Sequence, residues 1–204
     1  MPRVDDSRTQ LVRTVARLLR DQGYTATGLA QVLTESGVSN GSLYHHFPGG
    51  MEELAQAALE TSGQAIADAL SRVLDDAPNT GEGIASFLDV VEVSADGTCQ
   101  GCPIAPTALE SSISPRLRTA ATRCFNQWED LLAGRLRADG WPAGDIPQAA
   151  SAALSLIEGA LLLARVTGQI SHLANAKQAA RALFAAAPTQ PAPSRKVQKG
   201  RTPR

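Results

Sequence analysis

Between Gly23 and Pro48 the chain carries two short helical stretches on either side of a glycine-containing turn, and this pair limits the available folds more than any other feature. The first holds Leu29, Ala30, Val32 and Leu33, has Thr27 placed to cap it, and ends at Ser36-Gly37. Val38 follows, and Ser39 is placed to cap a second stretch that reaches Phe47, before Pro48-Gly49-Gly50 breaks the chain. Such hydroxyls accept from orphan N–H groups at a helix start. Two short helices joined in this way form a helix-turn-helix. Upstream, from Ser7 to Gly23, Leu11, Val12, Val15, Leu18 and Leu19 keep a helical spacing, with Arg8, Arg13, Arg17 and Arg20 mostly off that stripe.

The remainder also reads as helix. Carboxylates Glu52 and Glu53 open a long stretch whose apolar positions run from Leu54 to Leu74 and end at Asp75-Asp76-Ala77-Pro78. A segment around Ile84 to Val93, a loop from Ser94 to Gly101 and a short stretch from Ile104 to Ser112 come next. Pro115 opens a helix that closes near Gly140, and two Ala-rich helices follow, about Ala149 to Val166 and Ser171 to Ala187. With aromatics at 4% and an apolar content made mostly of Ala, Leu, Val and Ile, close-packed helices are favoured. The expected fold is all-α with about nine helices. Residues 1–48 form a three-helix DNA-binding domain, 49–187 a helical ligand-binding and dimerisation domain, and 188–204 a disordered basic tail.

Charge is distributed unevenly. Residues 1–47 carry a net +1, residues 48–187 a net −7 and residues 188–204 a net +5. That distribution directs DNA toward the ends. Three cysteines are too odd a number for a disulfide framework, and no charged-then-apolar signal segment opens the chain, so a reducing cytoplasm is the expected compartment. The most apolar stretch, Ala149 to Ala164, is interrupted by Ser151, Ser155 and Glu158 and is read as a buried helix, with no membrane partner.

The run Gly23-Tyr24-Thr25-Ala26-Thr27-Gly28-Leu29, continued by Gly37-Val38-Ser39-Asn40-Gly41-Ser42-Leu43-Tyr44-His45-His46-Phe47-Pro48, resembles the DNA-binding signature of the TetR family. The second short helix is thin at its start, because Ser39, Asn40, Gly41 and Ser42 are all small, and a thin helix sits deep in a major groove. Asn40 and Ser42 are the expected base readers. Tyr44 and His45 point polar tips at phosphates, while Leu43 and Phe47 anchor the helix. The DNA-contact set is Thr27, Ser39, Asn40, Gly41, Ser42, Tyr44 and His45. Many members of the family carry Lys where Asn40 and Met51 stand, so the expectation is either a weaker, more salt-tolerant binder or phosphate cations supplied from elsewhere, for example by Arg3, Arg8 or the tail.

Phe47-Pro48-Gly49-Gly50, Gly101-Cys102-Pro103-Ile104-Ala105 with Ala108-Leu109-Glu110, and the run from Ile157 to Arg165 resemble the LmrA/YxaF-like subgroup of that family. The resemblance implies a repressor of efflux or detoxification genes, bound as a dimer to palindromic double-stranded operator DNA and released by an apolar or aromatic inducer. The homodimer is expected through the last two helices. The inducer pocket is expected among Phe87, Val91, Cys102, Leu109, Phe125, Trp128, Leu132, Ile157, Glu158 and Leu161. A carboxylate in the apolar setting of Glu158 needs a partner, and a structural ion pair is expected.

Cys99-Gln100-Gly101-Cys102 has the spacing of a redox or zinc motif, but His45, His46 and His172 are far away in sequence, so no metal is expected. The two thiols are expected to line or gate the pocket, with thiol sensing the lesser reading. No phosphate-binding loop, nucleophile elbow or zincin motif occurs, so neither catalysis nor a cofactor is expected. A helical carrier without DNA activity is the competing class, and an enzyme with an unrecognised site the remoter one.

Overall fold

The computed structural model describes residues 4–90, 99–110 and 114–186. Among them are nine helices: α1 (Val4–Gln22), α2 (Leu29–Ser36), α3 (Asn40–His46), α4 (Gly50–Asp76), α5 (Thr80–Val90), α6 (Ala105–Leu109), α7 (Pro115–Ala138), α8 (Ile146–Thr167) and α9 (Ser171–Phe184). Val91, part of the loop from Ser94 to Gly101, Arg3 and the tail lie outside the described residues.

Each boundary has a local cause. At the end of α2, Gly37 takes φ +66° and its N–H closes on the Leu33 carbonyl, a left-handed cap that a side chain would strain. Ser39 caps α3 by accepting from the Ser42 N–H at 3.2 Å. Ser114 caps α7 in the same way, accepting from the Leu117 N–H at 3.1 Å. Helix α5 begins at Thr80, earlier than the periodicity predicts, because the Asn79 side chain accepts from the Glu82 N–H at 3.0 Å.

The predicted cap at Thr27 is corrected. Gly28, with extended backbone, occupies the cap position of α2 and makes no side-chain bond. Thr27 is buried and donates its hydroxyl to the Gly23 carbonyl at 2.6 Å, because the end of α1 leaves a carbonyl that needs a donor. Helix α8 runs longer than its apolar periodicity predicts. Starting at Ile146 it is long and apolar enough to span a bilayer, with mean hydropathy 1.6. One face, with Ala149, Ala153, Ile157, Ala160 and Ala164, is packed into the core, while Leu162, Leu163 and Val166 remain exposed.

Two arrangements position the sites. Helices α1, α2 and α3 pack around Leu11, Val15, Val32, Leu43 and Phe47, and the Arg8 guanidinium lies 5.4 Å over the Phe47 ring. This core is continuous with that of the body, where α4 and α7 are in close contact. A Cβ on Gly63 would lie 2.3 Å from Cys124 Sγ, so α4 approaches α7 this closely only with glycine there. The same glycine's carbonyl accepts from Trp128 Nε1 at 3.0 Å.

Candidate nucleic-acid interface and ligand cavity

Helix α3 is seated by Leu43 and Phe47, both buried, so its register on α1 is set by apolar contact. The opposite edge is open. Ser39, Asn40, Gly41, Tyr44 and His45 are exposed, with Tyr44 at 46%, and Ser42 is half-buried. A Cβ on Gly41 would meet nothing within 4 Å, so the start of α3 offers only small groups to an approaching surface. Thr27 does not join this edge, being turned into the end of α1. Arg17 is held by Glu35 and by Asp21, whereas Arg8 and Arg13 are exposed. Met51 is half-buried against the core at the start of α4.

Behind this head the body encloses a cavity of about 270 Å³, near the lower end of the range for small-molecule pockets. Ile66, Ala69 and Leu70 of α4, Phe87 and Val90 of α5, Trp128 of α7, and Leu154, Ile157, Glu158 and Leu161 of α8 form its walls. Gln100, Gly101, Cys102 and Pro103 close one side, and Arg20 from α1 closes another. Six of the predicted pocket residues meet here: Phe87, Cys102, Trp128, Ile157, Glu158 and Leu161.

Three others do not. Leu109 is 79% exposed, because α6 is one short turn that buries Thr107 instead. Leu132 is fully buried one turn beyond Trp128, in solid core. Phe125 stands behind the wall, its ring edge-to-face with Trp128 at 5.2 Å, and supports that side chain without lining the space. The lining residues that the sequence reading missed divide by cause. Leu154 lies one turn before Ile157 and Glu158 on the same face of α8, and Ile66, Ala69 and Leu70 share a stripe of α4, so both were accessible to helical spacing. For Arg20, an arginine among arginines, no local signal exists.

The predicted ion pair at Glu158 is corrected as well. Among the described residues no cation lies within 4 Å of it, and its hydrogen-bonding neighbour is the Cys102 thiol. Burial pushes the Glu158 carboxyl above its ordinary range, with the thiol bond acting weakly the other way. Burial also raises the Cys102 thiol well above its usual value, and the Glu158 charge adds to the rise. A thiol held protonated in this way is a poor nucleophile.

Among the described residues, Arg165 and Glu110 join head and body through side-chain hydrogen bonds. Arg165 donates to the Gln100 carbonyl at 2.7 Å and to the Asp21 carbonyl at 3.1 Å, tying α8 to the cavity loop and to the end of α1. Glu110, just after α6, accepts from the Thr25 N–H at 2.7 Å and the Thr25 hydroxyl at 3.0 Å.

Two stretches of the chain match known families. Residues 11–58 match the family described as bacterial regulatory proteins, tetR family, and residues 81–179 match the C-terminal domain of LmrA/YxaF-like transcriptional regulators. The chain is 36% identical over 161 residues to the HTH-type transcriptional regulator YxaF of Bacillus subtilis (strain 168), covering 78% of this chain and 84% of that one. Against the HTH-type transcriptional regulator LmrA of the same organism the identity is 34% over 163 residues, covering 78% and 86%. Among solved structures, reduced E. coli NemR superposes with a TM-score of 0.77 at 24% identity, over 88% of this chain and 98% of that one. That likeness concerns the fold.

Proposed function

Since the chain belongs to the TetR family of helix-turn-helix transcriptional regulators, and is not an enzyme, we propose that it is a cytoplasmic repressor that binds a palindromic operator as a homodimer. On this reading an apolar or aromatic molecule entering the body cavity releases the DNA, and the controlled genes serve efflux or detoxification. The observation that carries the reading is that a single helix serves both sites. The apolar face of α1 seats α3, and its last turn supplies Arg20 to the cavity wall.

In this reading Asn40 and Ser42 address base edges, and Ser39, Gly41, Tyr44 and His45 the backbone, since small groups at a helix start admit close approach to a groove floor. A dimer places two such helices about one turn of DNA apart. Support for dimerisation through α8 and α9 comes from Leu162, Leu163, Val166, Ile170 and Leu183, all large, apolar and exposed on that side of the body. Release follows from linkage: a ligand that prefers the geometry unable to bind DNA lowers operator affinity, and DNA lowers ligand affinity by the same factor. Arg165 and Glu110 are the proposed carriers of that preference, because each joins the body to the end of α1 or the turn after it.

The test is a gel shift with the promoter next to the protein's own gene, over a range of salt, paired with sedimentation of the free protein. The expected result is a dimer whose complex weakens steeply with salt. Failure to retard that DNA at any salt, with a folded dimer in hand, points to the helical carrier instead.

A further inference from the structure

We propose that the cavity selects a ligand with an apolar ring body and a positively charged amine, the amine seated on Glu158. This deepens the ligand-sensing reading above and rests on it. Three ionisable side chains line the cavity: Arg20 of α1, Cys102 of the loop before α6, and Glu158 of α8. Helices α4, α5 and α7 present only apolar or aromatic groups, and the Trp128 N–H is already given to Gly63. Asp21 lies 3.6 Å from Arg20 Nε and is shared with Arg17, and among the described residues the buried Arg20 Nε has no hydrogen-bond acceptor. Glu158 has no such counter-charge among the described residues, only the thiol of Cys102, a weak donor.

A carboxylate drawn out of water in this way must either keep a proton or find a cation. A ligand ammonium meets that need with a charge-assisted hydrogen bond, which is stronger than the neutral bond a ligand hydroxyl forms. Trp128 and Phe87 line the same space, and an aromatic face attracts a cation placed over it. An anionic ligand finds no counter-charge at Glu158, and its charge opposes loss of the Glu158 proton. The volume, about 270 Å³, accommodates two fused rings with a short aminoalkyl arm.

Burial holds the proton on Glu158 more tightly in the empty cavity than in water. Seating an ammonium expels that proton, so affinity for the cation rises with pH through the titration of Glu158 and then levels. Cys102 stays protonated over this range, so the pH dependence belongs to Glu158.

The experiment uses the full chain with Trp141→Phe, which leaves Trp128 as the only indole. Three probes that differ in one group are titrated: 2-naphthylmethylammonium, 2-naphthylmethanol and 2-naphthoate. The ammonium is expected to bind about ten-fold more tightly than the alcohol, with naphthoate weakest, and Glu158→Gln should erase that preference while Glu158→Asp retains it. The ranking of the probes on the unsubstituted Glu158 chain needs no cavity variant to fold. Equal affinity for alcohol and ammonium, or a preference that survives in Glu158→Gln, overturns the cation assignment while leaving a ligand-binding cavity in place. If none of the probes alters Trp128 fluorescence or raises the melting temperature, the cavity reading falls and the cation assignment falls with it.

Discussion

The head and the body of this regulator place their polar groups on opposite sides of their apolar ones. In the head Leu11, Val15, Val32, Leu43 and Phe47 fill the centre, and Asn40, Tyr44 and His45 lie outside on a short helix. In the body a carboxyl and a thiol line an open space walled by Trp128, Ile157 and Leu161, and Arg20 reaches it from α1 of the head. A filled core is stiff and moves as a unit, so the head presents its surface groups in fixed relation and can only be reoriented whole. A hollow body can be filled from outside. Substitutions in the head core should therefore affect stability and DNA binding together, those at its edge DNA binding alone, and those in the body stability or ligand response.

The largest expected effect breaks the head. Phe47→Ala removes a buried ring under the Arg8 guanidinium and should cost about 3–5 kcal/mol, lowering the melting temperature and abolishing the gel shift at once. A melting temperature that holds would show the head is not packed as a unit. At the edge, Asn40→Ala should leave the melting temperature in place and weaken operator binding by about 1–3 kcal/mol. A loss of stability instead would mean Asn40 belongs to the head's packing.

Gly63→Ala tests the body's packing. The new methyl would fall 2.3 Å from Cys124 Sγ, and forcing α4 from α7 should cost about 1–3 kcal/mol. Adding Cys124→Ala should recover part of that loss in thermal unfolding, because it removes the opposing sulfur.

Glu158→Gln separates the cavity from the solid core through pH. The carboxyl's folded pKa lies above its ordinary 4.5 because burial disfavours the charged form. The folded chain then keeps a proton that the unfolded chain has lost, so stability falls as pH rises from about 4.5 through the folded pKa, and levels beyond it. The glutamine variant lacks this fall, and its advantage in melting temperature should grow with pH over that window. A constant difference between the two proteins from pH 4 to pH 8 would place Glu158 in contact with water. The smallest effect is expected from Met51→Lys, which should steepen the salt dependence of operator binding by about one counterion. An unchanged slope would place position 51 away from phosphate.

The head was legible because its determinants are neighbours in sequence. Leu43 and Phe47 are one helical turn apart, Gly37 ends one helix, Ser39 caps the next, and each of these relations acts within a few residues. The body was legible in its elements, less so in its site. Spacing along α8 brought out Ile157, Glu158 and Leu161, yet the same rule applied to α7 put Phe125 and Leu132 at a wall where only Trp128 stands. A stripe reports which side of a helix is apolar, and that side can meet either a neighbour or an empty space.

By itself, then, the sequence determined the nine helices of the described residues, the start of α3 with its small exposed residues, and the acidic body behind it, since all of these follow from local periodicity, capping and charge. Tertiary structure alone decided that Arg20 closes the cavity, that Cys102 rather than an arginine accompanies Glu158, that Arg165 reaches the end of α1, and that Thr27 turns inward. These contacts join residues up to 144 positions apart. They depend on how helices stack around a space, a choice made by the total volume of the side chains between them and by which buried polar atoms can find partners, and no short window of sequence contains either quantity.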